Sequence, residues 1–394
     1  MGNSVSTALS WLEGDLQLDV VGLLAVIGES AMSTHAQIAT ASRWSLLPRL
    51  IPAPQALLRH TRPHRLPPVP SVKVVGVKSG NFQTELNYFP NLIHCIENVT
   101  GYSFEQVRIS HSDREEQLTG QTIPARRMGP LVMLSIFGMM CSAGLLGLAI
   151  NQGDGMAILA ICLLSVTSTL VGLGSRWYPV IPQRNETRVV PKADVMIIGR
   201  QGAFIHVQCT EPIARGLYFG QESCKYDISE RWFHVISGTG TFMLMASVIA
   251  MANCKFILQA GMGLAYIVLN GLYWIAALVP GDWHWELGVY DIQSMQNSKK
   301  KHEKYSDALI DAIGAARGTS WVAVASAAPK TEAWTDWLSE AEKVFVANED
   351  KSDEDVLKAW KDWQPREKLT QCLKYGTLER ATTAQLAEAA RKGE

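Results

Sequence analysis

The sequence predicts an α-helical membrane protein: two transmembrane helical hairpins, a small cytosolic α+β domain and a helical C-terminal tail. Three observations predict it. Four stretches of bilayer length carry no charge, arginines and lysines gather at one end of each, and short apolar strand-like runs lie between and before them.

The first stretch, 128–150, holds GPLVMLSIFGMMCSAGLLGLAI. At 1.5 Å per residue it covers roughly the 30 Å hydrocarbon core of a bilayer. Asn151-Gln152-Gly153-Asp154-Gly155 then supplies turn chemistry before the second stretch, 156–174, so the pair must form a hairpin. The third and fourth stretches, 233–253 and 259–279, are joined by Cys254-Lys255-Phe256-Ile257-Leu258 and form another. Buried helices of a soluble core seldom lack polar residues on every face over this length.

Orientation follows from the flanks. Arg126 and Arg127 precede the first span; Arg176, Arg184, Arg188 and Lys192 follow the second. Arg231 precedes the third, and Lys299, Lys300, Lys301 and Lys304 follow the fourth, whereas the hairpin turns offer only Lys255. The positive-inside rule therefore puts both termini and the central loop in the cytosol. Trp177, Tyr178, Trp232, Trp283 and Trp285 stand at span ends, where amphipathic rings favour the headgroup zone. The sequons at Asn98 and Asn185 fall on the cytosolic side and are expected to stay unmodified.

The expected organisation is a partly helical arm and Pro-rich linker over 1–70 and cytosolic strands over 71–127. Hairpins follow at 128–174 and 233–280, around a central loop at 175–232, and 281–394 form a juxtamembrane segment and helical tail. Strand patterns cover 72–77 and 104–109, and a β-hairpin covers 194–198 and 203–209 around Gly199-Arg200-Gln201-Gly202. A short helix is expected at 211–219 and a third strand at 224–228. A lone hairpin is marginal in water, so these pieces are expected to pack into one domain. In the tail, Trp334, Trp337, Leu338, Ala341 and Phe345 share one helical face. Ser352 and Asp355 form a capping-box-like start for another helix, with Val356, Trp360 and Trp363 on its apolar side.

Of 394 residues, 19% are charged, below the roughly 25% of soluble proteins, and the formal net charge of -1 argues against a nucleic-acid binder, which would need a basic face. The seven cysteines are scattered without a C-x-x-C pair, the usage of a reduced compartment. Met1-Gly2-Asn3-Ser4-Val5-Ser6 fits the N-myristoylation pattern at Gly2, or is a chance match in a degenerate motif.

Tyr266, Asn270 and Tyr273 form a polar stripe at helical spacing on the fourth span, expected to face the bundle interior. It is either interhelical glue or the lining of a path. With no Asp, Glu, Lys or Arg inside any span, glue is the expectation. The Lys299, Lys300, Lys301 and Lys304 run suits an anionic leaflet or is a solvated charged run. His206, Cys209 and Cys224 lack zinc-ligand spacing, and alternation points the first two to opposite strand faces, so no metal or cofactor is expected. Asp282, His284 and Glu286, with tryptophans between, read as an interfacial segment. Arg65-Leu66-Pro67-Pro68-Val69-Pro70 is an off-register polyproline ligand or a plain spacer, and Arg391-Lys392-Gly393-Glu394 weakly resembles a dibasic retrieval tail.

The runs 152–157, 202–204, 214–219, 270–274 and 283–287 resemble a group of uncharacterised filamentous-fungal membrane proteins, over roughly the middle half of the chain. The resemblance implies membrane class and lineage. Nucleotide loops, nucleophile elbows, H-E-x-x-H and paired catalytic acids do not occur. The expected function is a non-enzymatic membrane scaffold or adaptor; the alternative is a small transport or channel component acting as an oligomer. Its partners would be the lipid bilayer, cytosolic proteins reached through the C-terminal helices or the Pro-rich linker, and further copies of itself.

Overall fold

A computed structural model of the chain describes residues 29–58, 61–111, 123–182, 192–295 and 299–392. Gly2 lies outside them. The chain divides into two compact units, each assembled from three stretches of sequence: Met1–Arg65, Thr122–Val180 and Ser223–Leu287 in the first, Leu66–Gln121, Ile181–Glu222 and Gly288–Glu394 in the second.

The first unit is helical. Helix α1 spans Glu29–Ala41. Four long helices follow, α3 (Pro130–Asn151), α4 (Gly155–Ser175), α5 (Glu230–Ala252) and α6 (Phe256–Ala277), each long and apolar enough to cross a membrane. They match the four expected spans to within three residues. Their outward faces carry exposed Met133, Phe137, Met140, Phe242, Met245, Ile249, Leu264 and Ile275, while Leu258, Met262, Leu269, Ala160 and Leu164 close an apolar core between them. Helices α3 and α4 are also tied by a hydrogen bond between the hydroxyls of Ser142 and Ser165 at 2.6 Å.

The hairpin tips are joined by one carboxylate. Asp154 caps α4 by accepting from the N–H groups of Met156 and Ala157, both at 3.1 Å, and accepts from the Lys255 N–H at 2.6 Å. Lys255 Nζ in turn donates to the Gln152 carbonyl. These backbone hydrogen bonds, that from Lys255 first, hold the Asp154 carboxyl below its ordinary range.

The arm departs from expectation. After α1 the chain turns through Arg43–Leu46, runs extended, and turns again at Pro54–Ala56, with Ala53 left-handed at φ 47°. Leu50, Ile51, Pro52, Ala53 and Pro54 are buried, packed with α3, α4 and α6 rather than strung out as a spacer. The physical reason is composition: Leu46-Leu47-Pro48-Arg49-Leu50-Ile51-Pro52-Ala53-Pro54 is apolar enough to seek the bundle and too rich in proline to enter it as a helix. Further on, strand β4 (Trp177–Val180) pairs antiparallel with β7 (Ser223–Tyr226). The expected strand at 224–228 therefore forms, but in this unit and in a two-stranded sheet of its own.

The second unit is a mixed sheet of seven strands. Its strands are β1 (Val69–Gly76), β2 (Phe82–Leu86), β3 (Ser103–His111), β5 (Val195–Ile198), β6 (Phe204–Gln208), β8 (Tyr290–Ser294) and β9 (Lys300–Lys301). The order is β2-β1-β5-β6-β3-β8, with β9 also on β3. All pairs are antiparallel except β3 with β6. The expected hairpin is β5–β6, turned by Gly202 at φ +70°, where a Cβ would lie 2.7 Å from the Tyr305 ring.

Pairing Val75 with Met196, Met196 with His206 and Phe104 with Phe204 aligns one sheet face. Its apolar part is covered by helices α7 (Tyr305–Ala316), α8 (Ser320–Val324), α9 (Glu332–Val346), α10 (Asp353–Asp362) and α11 (Pro365–Tyr375); helix α12 is Leu378–Lys392. Trp321, Trp334, Trp337 and Trp360 all lie in this core. The alternate residues Val74, Ile197, Ile205 and Val207 are buried as well. Helix α2 (Tyr88–His94) and a π-helical turn, Ala214–Phe219, meet through a 2.7 Å hydrogen bond between His94 Nε2 and Tyr218 Oη.

Candidate functional site

Two glycines admit the proline-broken segment. A Cβ on Gly172 would lie 2.1 Å from the Ser45 carbonyl oxygen, and one on Gly138 would lie 2.8 Å from that of Leu50. Ser168 accepts the Arg49 N–H at 3.0 Å, and the Gly138 carbonyl accepts that of Leu50 at 3.4 Å. Ser168 is seven residues from the end of α4 and Gly138 eight from the start of α3, so the segment reaches about 10–12 Å into the bundle.

That reach carries Arg49 inside. Its side chain is 2% exposed; Nη1 donates to the Trp44 carbonyl at 2.7 Å, and Nε finds no acceptor among the described residues. An arginine keeps its proton in proteins, so the cluster holds a fixed positive charge.

His35 of α1 and His284 complete the cluster. The His35 ring lies 6.5 Å from Tyr273 and 6.3 Å from His284, and both histidines are buried. Neither ring nitrogen of His35 has a partner among the described residues. Burial lowers both pKa values, for His284 with a further push from His35. Near neutral pH the two rings are uncharged; Tyr273 links them to the arginine, in ring contact with His35 and within electrostatic range of Arg49. Buried polar atoms without a partner are rare in native proteins. Here Ser45 Oγ, Thr167 Oγ1, Asn270 Oδ1 and Tyr266 Oη share that condition among the described residues.

Trp177 fixes α1 in place: its Nε1 donates to the Gln37 carbonyl at 2.6 Å, and its ring meets Trp285 edge to face at 5.8 Å. Arg62 ties the ends of α4 and α5, donating to Gly174 and Ile228 carbonyls and lying 4.4 Å from the Tyr226 ring centre. An arginine with a free donor, with a phenol in its electrostatic reach, can bind an anion through charge-assisted hydrogen bonds.

The stripe of Tyr266, Asn270 and Tyr273 faces inward, and Tyr273 belongs to the cluster. Asn270 Oδ1 and Tyr266 Oη make none of the bonds expected of glue within the described residues. His284, expected in an interfacial segment, is buried. Arg49 and His35 were not legible as site residues; the available signal was one arginine within an apolar, proline-rich run. In the other unit, His206 Nε2 meets Asp194 at 3.2 Å, and Cys209 donates to the Ala193 carbonyl at 3.0 Å. They are occupied separately, and Cys224 belongs to the first unit. The basic run is partly engaged: Lys299 meets Glu105 at 3.6 Å, Lys300 meets Asp311 at 3.3 Å, and Lys300 and Lys301 pair with β3.

No known protein family, no curated protein and no solved structure matches the chain.

Proposed function

We propose that the chain is a multi-pass integral membrane protein with both termini in the cytosol, whose bundle binds a small anion as a component of a transport system. The observation that carries this is Arg49: a fully buried charge with an unused donor, held about 10 Å inside an apolar bundle by non-helical backbone. Charged residues within a membrane bundle mark ligand or ion pathways by default. Irregular backbone at such depth persists only where protein buries it or a cavity receives it, and transporters build their sites at such breaks. The spans themselves lack charge, which favoured glue; the re-entering arm supplies the charge they lack.

The membrane itself is supported by the large apolar side chains exposed on all four long helices, since soluble monomers rarely expose extended apolar surface. The cytosolic assignment rests on the arginines that flank one end of each of the first three spans. Further copies of the chain would complete a path. The test is anion flux, chloride and phosphate in turn, in vesicles reconstituted with purified protein. Arg49→Gln is expected to cut the flux at least tenfold while leaving the thermal transition in detergent in place. Absence of flux of either anion from the unaltered protein refutes the reading.

A second reading, a membrane scaffold or adaptor, has its own observation. Helices α8 and α9 border an apolar groove of about 670 Å³ lined by Val322, Ala323, Leu338 and Val346, with Lys330 and Lys343 at its rim. Proximity labelling from the C-terminal tail tests it: a reproducible set of neighbours lost in Leu338→Glu supports a scaffold, and an unchanged set opposes it.

A further inference from the structure

The second unit contains a two-lobed cleft between one sheet face and helix α10. One lobe, of about 730 Å³, is reached by Lys78, Arg108, Lys192, Arg317 and Lys351. The other, of about 630 Å³, is walled by Phe104, Ile310, Leu357 and Trp360. Arg108, Gln208, Arg317 and Asp353 border both lobes, so the two are continuous. Each volume falls in the range of small-molecule sites.

The charges in the first lobe do not cancel locally. Of its carboxylates, Asp194 is engaged by His206 at 3.2 Å and Glu342 by the Thr319 N–H and hydroxyl at 2.6 and 2.7 Å. Asp353 is bonded to Arg317. Five cations, Lys78, Arg108, Lys192, Arg317 and Lys351, thus face four carboxylates, and Lys78, Arg108, Lys192 and Lys351 form no ion pair among the described residues. Arg108 instead donates to the Gln208 side chain at 3.1 Å. The Asp353 carboxyl sits below its usual range, first through its hydrogen bond with Arg317, then through the charges of Arg317, Lys192 and Arg108. One exposed side-chain carboxylate thus occupies a place where several cations meet, with more positive charge than it can neutralise.

We propose that this cleft binds a phosphate-bearing small molecule, its phosphate on Arg108, Lys192 and Arg317 in the place the Asp353 carboxylate now takes, its body in the apolar lobe. A phosphate monoester brings nearly two charges and three acceptor oxygens, which suits three cations better than one carboxylate does. The apolar wall beside Trp360 accommodates a ring or an acyl-linked headgroup. A soluble nucleotide and a phosphoinositide headgroup share this chemistry.

The test uses the full chain in phosphatidylcholine nanodiscs, titrated by calorimetry with ATP in one arm and with a short-chain phosphatidylinositol phosphate in the other. Saturable binding of ATP assigns the soluble source, and saturable binding of the phosphoinositide the lipid one. In either arm Lys192→Gln and Arg108→Gln each weaken binding about tenfold, and Asp353→Asn, which removes the internal competitor, tightens it several-fold. Circular dichroism checks that the variants keep their fold, and Arg317→Gln serves in place of one that does not. No saturable binding of either probe, binding indifferent to the cation variants, or weaker binding by Asp353→Asn overturns the proposal.

Discussion

Gly172 stands where no larger residue fits without moving backbone. A methyl group there would press 2.1 Å from the Ser45 carbonyl, whereas Gly147 in α3 has open space around its Cα. Alanine raises helix propensity by up to about 1 kcal/mol over glycine, so the two substitutions separate propensity from packing. Gly147→Ala is expected to be neutral or slightly stabilising. Gly172→Ala is expected to lower stability in detergent by about 1–3 kcal/mol, with the loss read from thermal unfolding. It should also loosen Arg49, which hangs from the same segment. His94 makes a second prediction at this scale. Burial holds its pKa at about 4, against 6.5 for a free histidine. Between those values the unfolded chain binds the proton and the folded chain does not, so stability falls as the pH drops from 6.5 toward 4 and is level above. The transition temperature of the chain should follow that course, and His94→Asn should flatten part of it.

The helices were legible element by element because each one's physics is local. Uncharged runs of bilayer length gave α3 to α6 nearly to the residue, and the Ser352 hydroxyl, accepting the Asp355 N–H at 3.3 Å, starts α10 as its sequence indicates. Strands stood out where they alternate, as in β1, β3 and the β5–β6 hairpin. They did not where polarity hides them: β8 is Tyr-Asp-Ile-Gln-Ser, mostly exposed, and β9 is two lysines. Such edge strands exist only because β3 offers free backbone groups, and that partner is distant in sequence. The arm around Arg49 was missed for a related reason, since burial of irregular backbone depends on glycines far along the chain. Among elements, the tip joint is the most exposed to test. Asp154→Ala removes the α4 cap and the tie to Lys255, with an expected loss of about 0.5–2 kcal/mol. Because the folded carboxyl titrates below its ordinary value, this contribution is complete above pH 3.8 and disappears as the pH falls through the lower, folded value. Unfolding followed against pH in detergent checks both statements.

The seven-stranded sheet is one object made from three separated pieces of chain. Ending the chain at residue 287 would remove β8, β9 and α7, uncovering Val75, Met196, Ile198 and Phe204. Such a truncation is expected to aggregate on size-exclusion in detergent, while one ending after α11, which keeps the covering helices, is expected to stay monodisperse. Period and composition showed which segments are strands but not that β3 lies parallel to β6, since parallel pairing leaves no local signature. The same interleaving sets a timetable for synthesis. β3 leaves the ribosome before either helical hairpin has been made, yet the helix that shields its apolar face ends at Ala316, about 200 residues later. At the usual pace of translation the nascent strands wait roughly 10–40 s with open edges. During that interval they are a natural substrate for holding chaperones, so depleting such chaperones should lower the yield of the protein without altering any molecule that has already folded.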